Sequence, residues 1–352
     1  MNWRYMLTLC LCIWTLVLAG CLADQDEKPP ERDPGYTDGV WAPELPVLPE
    51  GWPALELPRD NPYSSGKAVL GRRLFFEAAL SQDRTLSCAS CHQPAAAFTA
   101  AGRTLSFGVS GKPMHRNTPS LTNMGFGKSF MFDGEFKSLE MQAVNPLFAE
   151  DEMGMKTGEI ESRLAADTLY VRLFRQAYGE GAITLAGVTK ALATYQRTLV
   201  SYRSPYDRWK AGDEGALSAA AKRGEAIFNG KKGDCSQCHT PPLFTNGSFH
   251  NTGLDSVTTD VGRMLITGLA ADEGRFKTPS LRNVGLTGPY MHDGRVHTLV
   301  EVLEHYNAGR VPHPNTDALI RPLGMTSDEI SDLLAFLEAL SDSAFIADRG
   351  PE

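Results

Sequence analysis

The sequence predicts an all-α chain of two domains, and three observations carry that reading. A five-residue pattern occurs twice, as Cys88-Ala-Ser-Cys-His92 and Cys235-Ser-Gln-Cys-His239. A longer stretch, Asn117–Glu140, lies over Lys277–Val300 at a constant offset of 160, with ten of 24 positions identical. Apolar residues recur at helical spacing behind Ser or Thr caps beside both copies. The length of 352 residues, 42% hydrophobic and 22% charged, agrees with two domains on a prior of roughly 100–200 residues each.

Taken in order, the chain opens with Arg4 and an apolar run from Tyr5 to Leu18, ending Leu18-Ala19-Gly20-Cys21. That run is short for a bilayer-spanning helix, which needs about 20 residues, and suits an export signal. The ending resembles a bacterial lipoprotein box, with residues 1–20 removed and Cys21 lipidated; a plain cleaved signal is the alternative. Leu22 after the cysteine favours the outer membrane. Residues 21–60, rich in Pro, Asp and Glu, read as a tether. The first folded domain is expected over 61–213 and the second over 214–345.

Ser64-Ser65 opens a helix through GKAVLGRRLFFEAAL, with Val69, Leu70, Leu74 and Phe75 on one face, just before the first pattern. Leu217-Ser218 opens a matching helix that Gly230 ends, just before the second. After the second copy of the long repeat, Thr298-Leu-Val-Glu301 forms a capping box, and Leu299, Val302, Leu303 and Tyr306 share a stripe. Tyr306 therefore points inward, while His305 turns about 100° away. A closing helix follows Thr326-Ser-Asp-Glu329, another capping box, with Ile330, Leu333, Leu334, Leu337 and Leu340 in register.

The chemistry sits in the cysteines. Cys10 and Cys12 leave with the signal and Cys21 takes lipid, so Cys88, Cys91, Cys235 and Cys238 are all that remain. Each pair, two residues apart and followed directly by His92 or His239, offers two thiols to haem vinyl groups and an imidazole to the iron. Zinc fits poorly because the two patterns start 147 residues apart, far beyond the usual pair spacing of about 15–20. Each domain is thus expected to be cytochrome c-like with one covalent haem c. The two irons differ on their other side, since the offset carries Tyr306 onto Pro146, which has no atom that binds iron. Gln142 and the acidic run Glu150-Asp151-Glu152 stand near Pro146. An open iron beside an amide and a carboxylate suits peroxide, whose proton must move to the departing oxygen.

These motifs resemble the bacterial di-haem cytochrome c peroxidases and their MauG-like relatives. The likeness runs from about Asn61 to Ala344 through LGRRLFFEAALSQDRTLSCASCH, RNTPSLTN, FDGEFKSLEMQAVNP, SPYDRWKAGD, CSQCHTPPLFTN and FKTPSLRNVGLTGPYMHDG. It implies a peroxide site at the N-terminal haem and electron transfer or storage at the other. His92 and His239 become the proximal ligands, Gln142 and Glu152 the peroxide-handling pair, and Pro146 the distal filler of the MauG-like branch. Tyr306 becomes the sixth ligand of the second haem, where peroxidases proper carry methionine. Met291, Met264, His250 and His292 remain rivals there, and His115 at the first haem. The family's calcium ion falls on Asn117, Thr287 and Pro289. Phe132 stands where many relatives carry a tryptophan between the haems.

The resemblance implies a periplasmic oxidoreductase that uses hydrogen peroxide to oxidise a protein partner, one whose tryptophan it modifies, with the MbnH-like enzymes the most similar members. A peroxidase fed by a small cytochrome or cupredoxin is the alternative enzyme, and a di-haem electron carrier the alternative of another class. A net charge of −8 without a long basic run argues against nucleic acid. Membrane contact is expected only through the lipid. Gly125-Phe-Gly-Lys-Ser129 lacks the leading glycine of a phosphate loop.

Overall fold

A computed structural model describes residues 43–309 and 311–349; the export segment, Cys21 and the first half of the expected tether lie outside them. The described residues form thirteen α-helices and two strands of two residues each. The first half holds α1 (Ser65–Phe75), α2 (Cys88–Cys91), α3 (Leu139–Gln142), α4 (Val144–Phe148), α5 (Glu159–Ala165), α6 (Thr168–Tyr178), α7 (Leu185–Arg197) and α8 (Pro205–Lys210). The second holds α9 (Ala219–Asn229), β1 (Phe249–His250), α10 (Met264–Thr267), β2 (Phe276–Lys277), α11 (Leu299–Ala308), α12 (Ser327–Glu338) and α13 (Ser343–Arg349). The strands pair antiparallel, Phe249 with Lys277 and His250 with Phe276.

The caps read from the sequence are in place. Ser64 accepts from Lys67 N, Ser218 from Ala221 N, and Thr298 and Thr326 each close a reciprocal capping box. Helix α1 stops at Phe75 instead of running on to Leu80. There the Glu77 carboxylate, itself taking the Tyr170 hydroxyl at 2.7 Å, accepts from Ala79 N at 2.8 Å and starts a separate 3-10 turn.

The apolar interior divides into two large clusters. In the first, α1 crosses α7 so closely that a Cβ on Gly71 would stand 1.9 Å from the Ala191 carbonyl oxygen. In the second, α9 crosses α12 at Gly224, where a Cβ would meet the Asp332 carbonyl oxygen at 2.0 Å. Each half therefore packs the helix before its CxxCH motif against a later helix across a glycine. Packing does not follow the expected boundaries at 213 and 345. Tyr206 and Trp209 of α8 join the second cluster, and Phe345 of α13 joins the first. The crossing point is Asp342, whose carboxylate accepts from Ser201 Oγ, Tyr202 N and Arg203 N at 2.9–3.2 Å.

The offset of 160 also appears in the hydrogen bonds. Asn123 N donates to Leu199 O and Asn283 N to Leu340 O. Ser120 Oγ donates to Ala97 O and Ser280 Oγ to Leu243 O, both at 2.6 Å. Between the halves, Asn117 N donates to His292 O at 2.8 Å and Lys277 N to Phe132 O at 2.7 Å. Adding 160 to 117 gives 277, and adding it to 132 gives 292. Residue i of one half thus meets residue j of the other, and j meets i, the reciprocity of a two-fold interface built within one chain.

Candidate active site

Both CxxCH motifs fold into one tight turn, with His92 N bonded to Cys88 O and His239 N to Cys235 O, each at 2.9 Å. Each imidazole is then held from behind. His92 Nδ1 lies 3.0 Å from Phe98 O, and His239 Nδ1 lies 3.1 Å from Phe244 O. The rings of Phe98 and Phe244 are fully buried, and both residues adopt the left-handed backbone, at φ 61° and 53°. A carbonyl accepts only, so Nδ1 carries the proton and Nε2 presents its lone pair. Burial lowers the pKa of both histidines, that of His239 to about 4, which keeps the rings neutral and ready to ligate.

The four thiols form no disulfide. Burial, and then the neighbouring Cys91 and Asp234 respectively, pushes Cys88 and Cys235 up to about 12. Among the described residues no group of three or more His, Cys, Asp or Glu is arranged to hold a metal ion. Two neutral thiols followed by a backed imidazole, twice over, is a donor set that fits covalent haem and little else.

The walls opposite the two histidines differ. In the second half α11 runs unbroken and carries Tyr306 on its last turn. Burial raises the phenol pKa of Tyr306, and the Cys235 and Cys238 thiols raise it further. Its hydroxyl has no hydrogen-bond partner among the described residues, whereas His305 on the next face bonds Thr252 O at 3.1 Å. In the first half the corresponding residues form two short helices, α3 and α4, broken between Gln142 and Val144. Pro146 explains the break, because it lacks the N–H that an unbroken helix would donate to Gln142 O.

Gln142 ends α3 with Nε2 3.8 Å from Met131 Sδ. Glu152 follows α4, its backbone carbonyl accepting from Val109 N at 2.8 Å. Its carboxyl raises the pKa of the Cys88 and Cys91 thiols. Burial, and secondarily Asp151, raises the Glu152 pKa to about 7.

The other candidates separate. His115 is exposed, and His250 pairs with Asp317 at 2.6 Å. The ring of His292 stacks on Phe276 at 3.9 Å, and its neighbour Asp293 bonds Arg295 instead of the histidine. Met131 and Met291 take matching left-handed backbones at φ 66° and 70°. Asn117 donates to Arg103 O and Thr104 O while its backbone meets His292, the loop that also carries Thr287 and Pro289. The sequence reading missed the ion pairs around this junction. Arg116 binds Asp260 at 2.6 and 2.9 Å and Asp133 at 2.6 Å, and Lys277 Nζ donates to Ser129 O at 2.7 Å. Missed too were the carbonyls behind the histidines; the phenylalanine recurring five or six residues after each was the available signal.

Residues 65–215 match the family model described as di-haem cytochrome c peroxidase. The methylamine utilization protein MauG of Methylorubrum extorquens is 44% identical over 286 residues, covering 80% of each chain. Cytochrome c peroxidase Ccp of Escherichia coli is 33% identical over 300 residues, covering 82% of this chain and 61% of its own. A solved structure of a MauG-like protein associated with microbial copper homeostasis superimposes with a TM-score of 0.81 at 36% identity, covering 85% of this chain and 96% of that one. With paired CxxCH turns, backed imidazoles and this kinship, the chain belongs to the di-haem cytochrome c peroxidase and MauG family and is a peroxidase-type oxidoreductase.

Proposed function

We propose that the protein uses hydrogen peroxide at its N-terminal haem to oxidise a protein partner, in the manner of the MauG-like branch. The observation that carries this reading is the unequal pair of walls: Pro146 in a broken helix on one side, Tyr306 on an unbroken one on the other. Cys88, Cys91 and His92 hold one haem, and Cys235, Cys238 and His239 the second. Bound there, haem supplies an iron that accepts oxidising equivalents from peroxide. Pro146 leaves the distal side of the first site without a ligand. Gln142 orients the peroxide, and Glu152, with its pKa near 7, takes a proton from one peroxide oxygen and returns it to the other. Tyr306 closes the second site with a phenol oxygen, which favours higher oxidation states over the electron-accepting state a thioether favours.

The finer parts of the reading follow from the same sequence features. The domains are 61–213 and 214–345, with α8 and α13 packing across that division. A calcium ion at Asn117, Thr287 and Pro289 supports the junction, since carbonyl and amide oxygens suit it. Residues 1–20 direct export to the periplasm, and lipid on Cys21 anchors the chain to the outer membrane. Among the described residues no helix is long and apolar enough to cross a membrane.

Peroxide titration of the haem-loaded protein, followed by absorbance, tests the function. One equivalent is expected to change the spectrum, and Glu152→Gln to slow that change by about 10²-fold or more. A wild-type spectrum indifferent to peroxide, or a variant as fast as wild type, would overturn it. Sustained turnover with a reduced small cytochrome would move the assignment to a peroxidase proper.

A further inference from the structure

The two histidines differ in what lies behind them. Behind His92, the ring of Phe98 touches Phe75 at 5.8 Å and Phe345 at 6.0 Å, and Phe75 leads on to Tyr195 at 5.3 Å, all buried. Behind His239, Phe244 touches Tyr206 at 5.1 Å, and Tyr206 touches Trp209 at 6.2 Å. Trp209 is half-buried, so this second path starts at the carbonyl-backed ligand and ends at the surface on an indole. Indole is the most readily oxidised of the neutral side-chain rings, and phenylalanine the least. The first path reaches no indole.

We propose that Trp209 is the exit for oxidising equivalents from the second haem, passing them through Tyr206 and Phe244 to the surface where a protein partner is oxidised. The proposal rests on the peroxide-dependent function above. In the step, one electron leaves the Trp209 ring toward the haem held at His239, which is reduced by one equivalent. The indole N–H proton passes to the Glu214 carboxylate, whose Oε2 accepts from Trp209 Nε1 at 3.3 Å. The resulting neutral indolyl radical takes one electron from the partner and recovers the proton from Glu214. Two such passages match the two electrons that reduce hydrogen peroxide to water.

The surroundings make the proton transfer necessary. Lys210 Nζ lies 4.4 Å and Lys222 Nζ 5.7 Å from the Trp209 ring, and two ammonium groups disfavour a positively charged indole. Losing the N–H proton removes that penalty. Among the described residues Tyr206 has no such acceptor, and burial pushes its phenol up to about 12, so it bridges without holding the charge. The helix carrying both rings is rigidly set: Asp207 closes its capping box and receives both guanidinium nitrogens of the buried Arg282, at 2.7 and 2.8 Å. A substitution at exposed Glu214 leaves this support untouched.

The test treats the haem-loaded protein with peroxide and no partner, follows the absorbance, and then maps oxygen addition on Asp-N peptides by mass spectrometry. Oxidation at Trp209 is expected to exceed severalfold that at Trp52, whose ring packs on Phe126 and Tyr202 and is reached from Phe244 only across the Arg282 guanidinium, 4.4 Å from Trp52 and 5.6 Å from Phe244. Glu214→Gln is expected to lower it severalfold with the absorbance change intact, and Trp209→Phe to prolong the peroxide-oxidised spectrum. A normal absorbance change with Trp209 no more oxidised than Trp52, or with Glu214→Gln without effect, overturns the exit alone. No absorbance change at all overturns the underlying function and the exit with it.

Discussion

At the residue scale the proposed function turns on the Glu152 carboxyl. Burial holds its pKa near 7, above its ordinary value of 4.5. A base must be ionised to take the peroxide proton, so the rate of the peroxide reaction is expected to rise with pH through about 7. In Glu152→Gln the profile should flatten over that range; stopped-flow absorbance at a series of pH values reads both. Stability runs the other way. A carboxyl raised in the folded state contributes fully below pH 4.5 and loses that contribution as pH climbs through about 7. Glu152→Gln should therefore narrow the fall in melting temperature between acid and neutral pH. For this site the sequence proposes Pro146 and Tyr306 through the repeat and Gln142 by its place beside Pro146. The Phe98 and Phe244 carbonyls were marked only by the phenylalanine that recurs after each histidine, since a backbone oxygen itself leaves no residue type to recognise.

At the scale of elements, helix starts were legible and helix ends only in part: Gly230 ends α9 as the sequence predicts, but α1 stops short. Ser64, Ser218, Thr298 and Thr326 each cap by accepting from the backbone N–H three residues on, and such local bonds are written in local sequence. The end of α1 depends on Glu77 meeting Tyr170 from a distant helix, which no local pattern records. The helix crossings fall between these cases. Gly71 and Gly224 read as ordinary helical residues until the partner backbone is seen 1.9 and 2.0 Å from where a Cβ would stand. Gly224→Ala must push α9 off α12 and is expected to cost roughly 1–3 kcal/mol, measured by denaturant unfolding. Thr326→Ala, which removes only a cap on the same pair, should cost about 1 kcal/mol. Equal losses would mean that the crossing is less tight than the distances imply.

For the whole molecule, the repeat at 160 is both a sequence pattern and a construction. The reciprocal bonds from Asn117 to His292 and from Lys277 to Phe132 put residues 132 and 292 at the seam between the halves. Arg116 fastens the seam to Asp133 and Asp260, with its side chain 18% exposed and Asp133 6% exposed. Arg116→Ala strands two carboxylates there and is expected to destabilise the protein by roughly 3 kcal/mol, seen as a lower unfolding midpoint. The long reach of these pairs, 144 residues between Arg116 and Asp260, kept them out of the sequence reading.

Within that near-symmetric frame the proposed function depends on one broken symmetry, Pro146 beside a helix break in the first half and Tyr306 on an unbroken helix in the second. Electron paramagnetic resonance of the ferric, haem-loaded protein, compared with Tyr306→Phe, addresses it directly. Two unlike iron signals are expected in the wild type, one high-spin, with the substitution altering only the other. Two signals of six-coordinate irons, or a spectrum that Tyr306→Phe leaves unchanged, would contradict it.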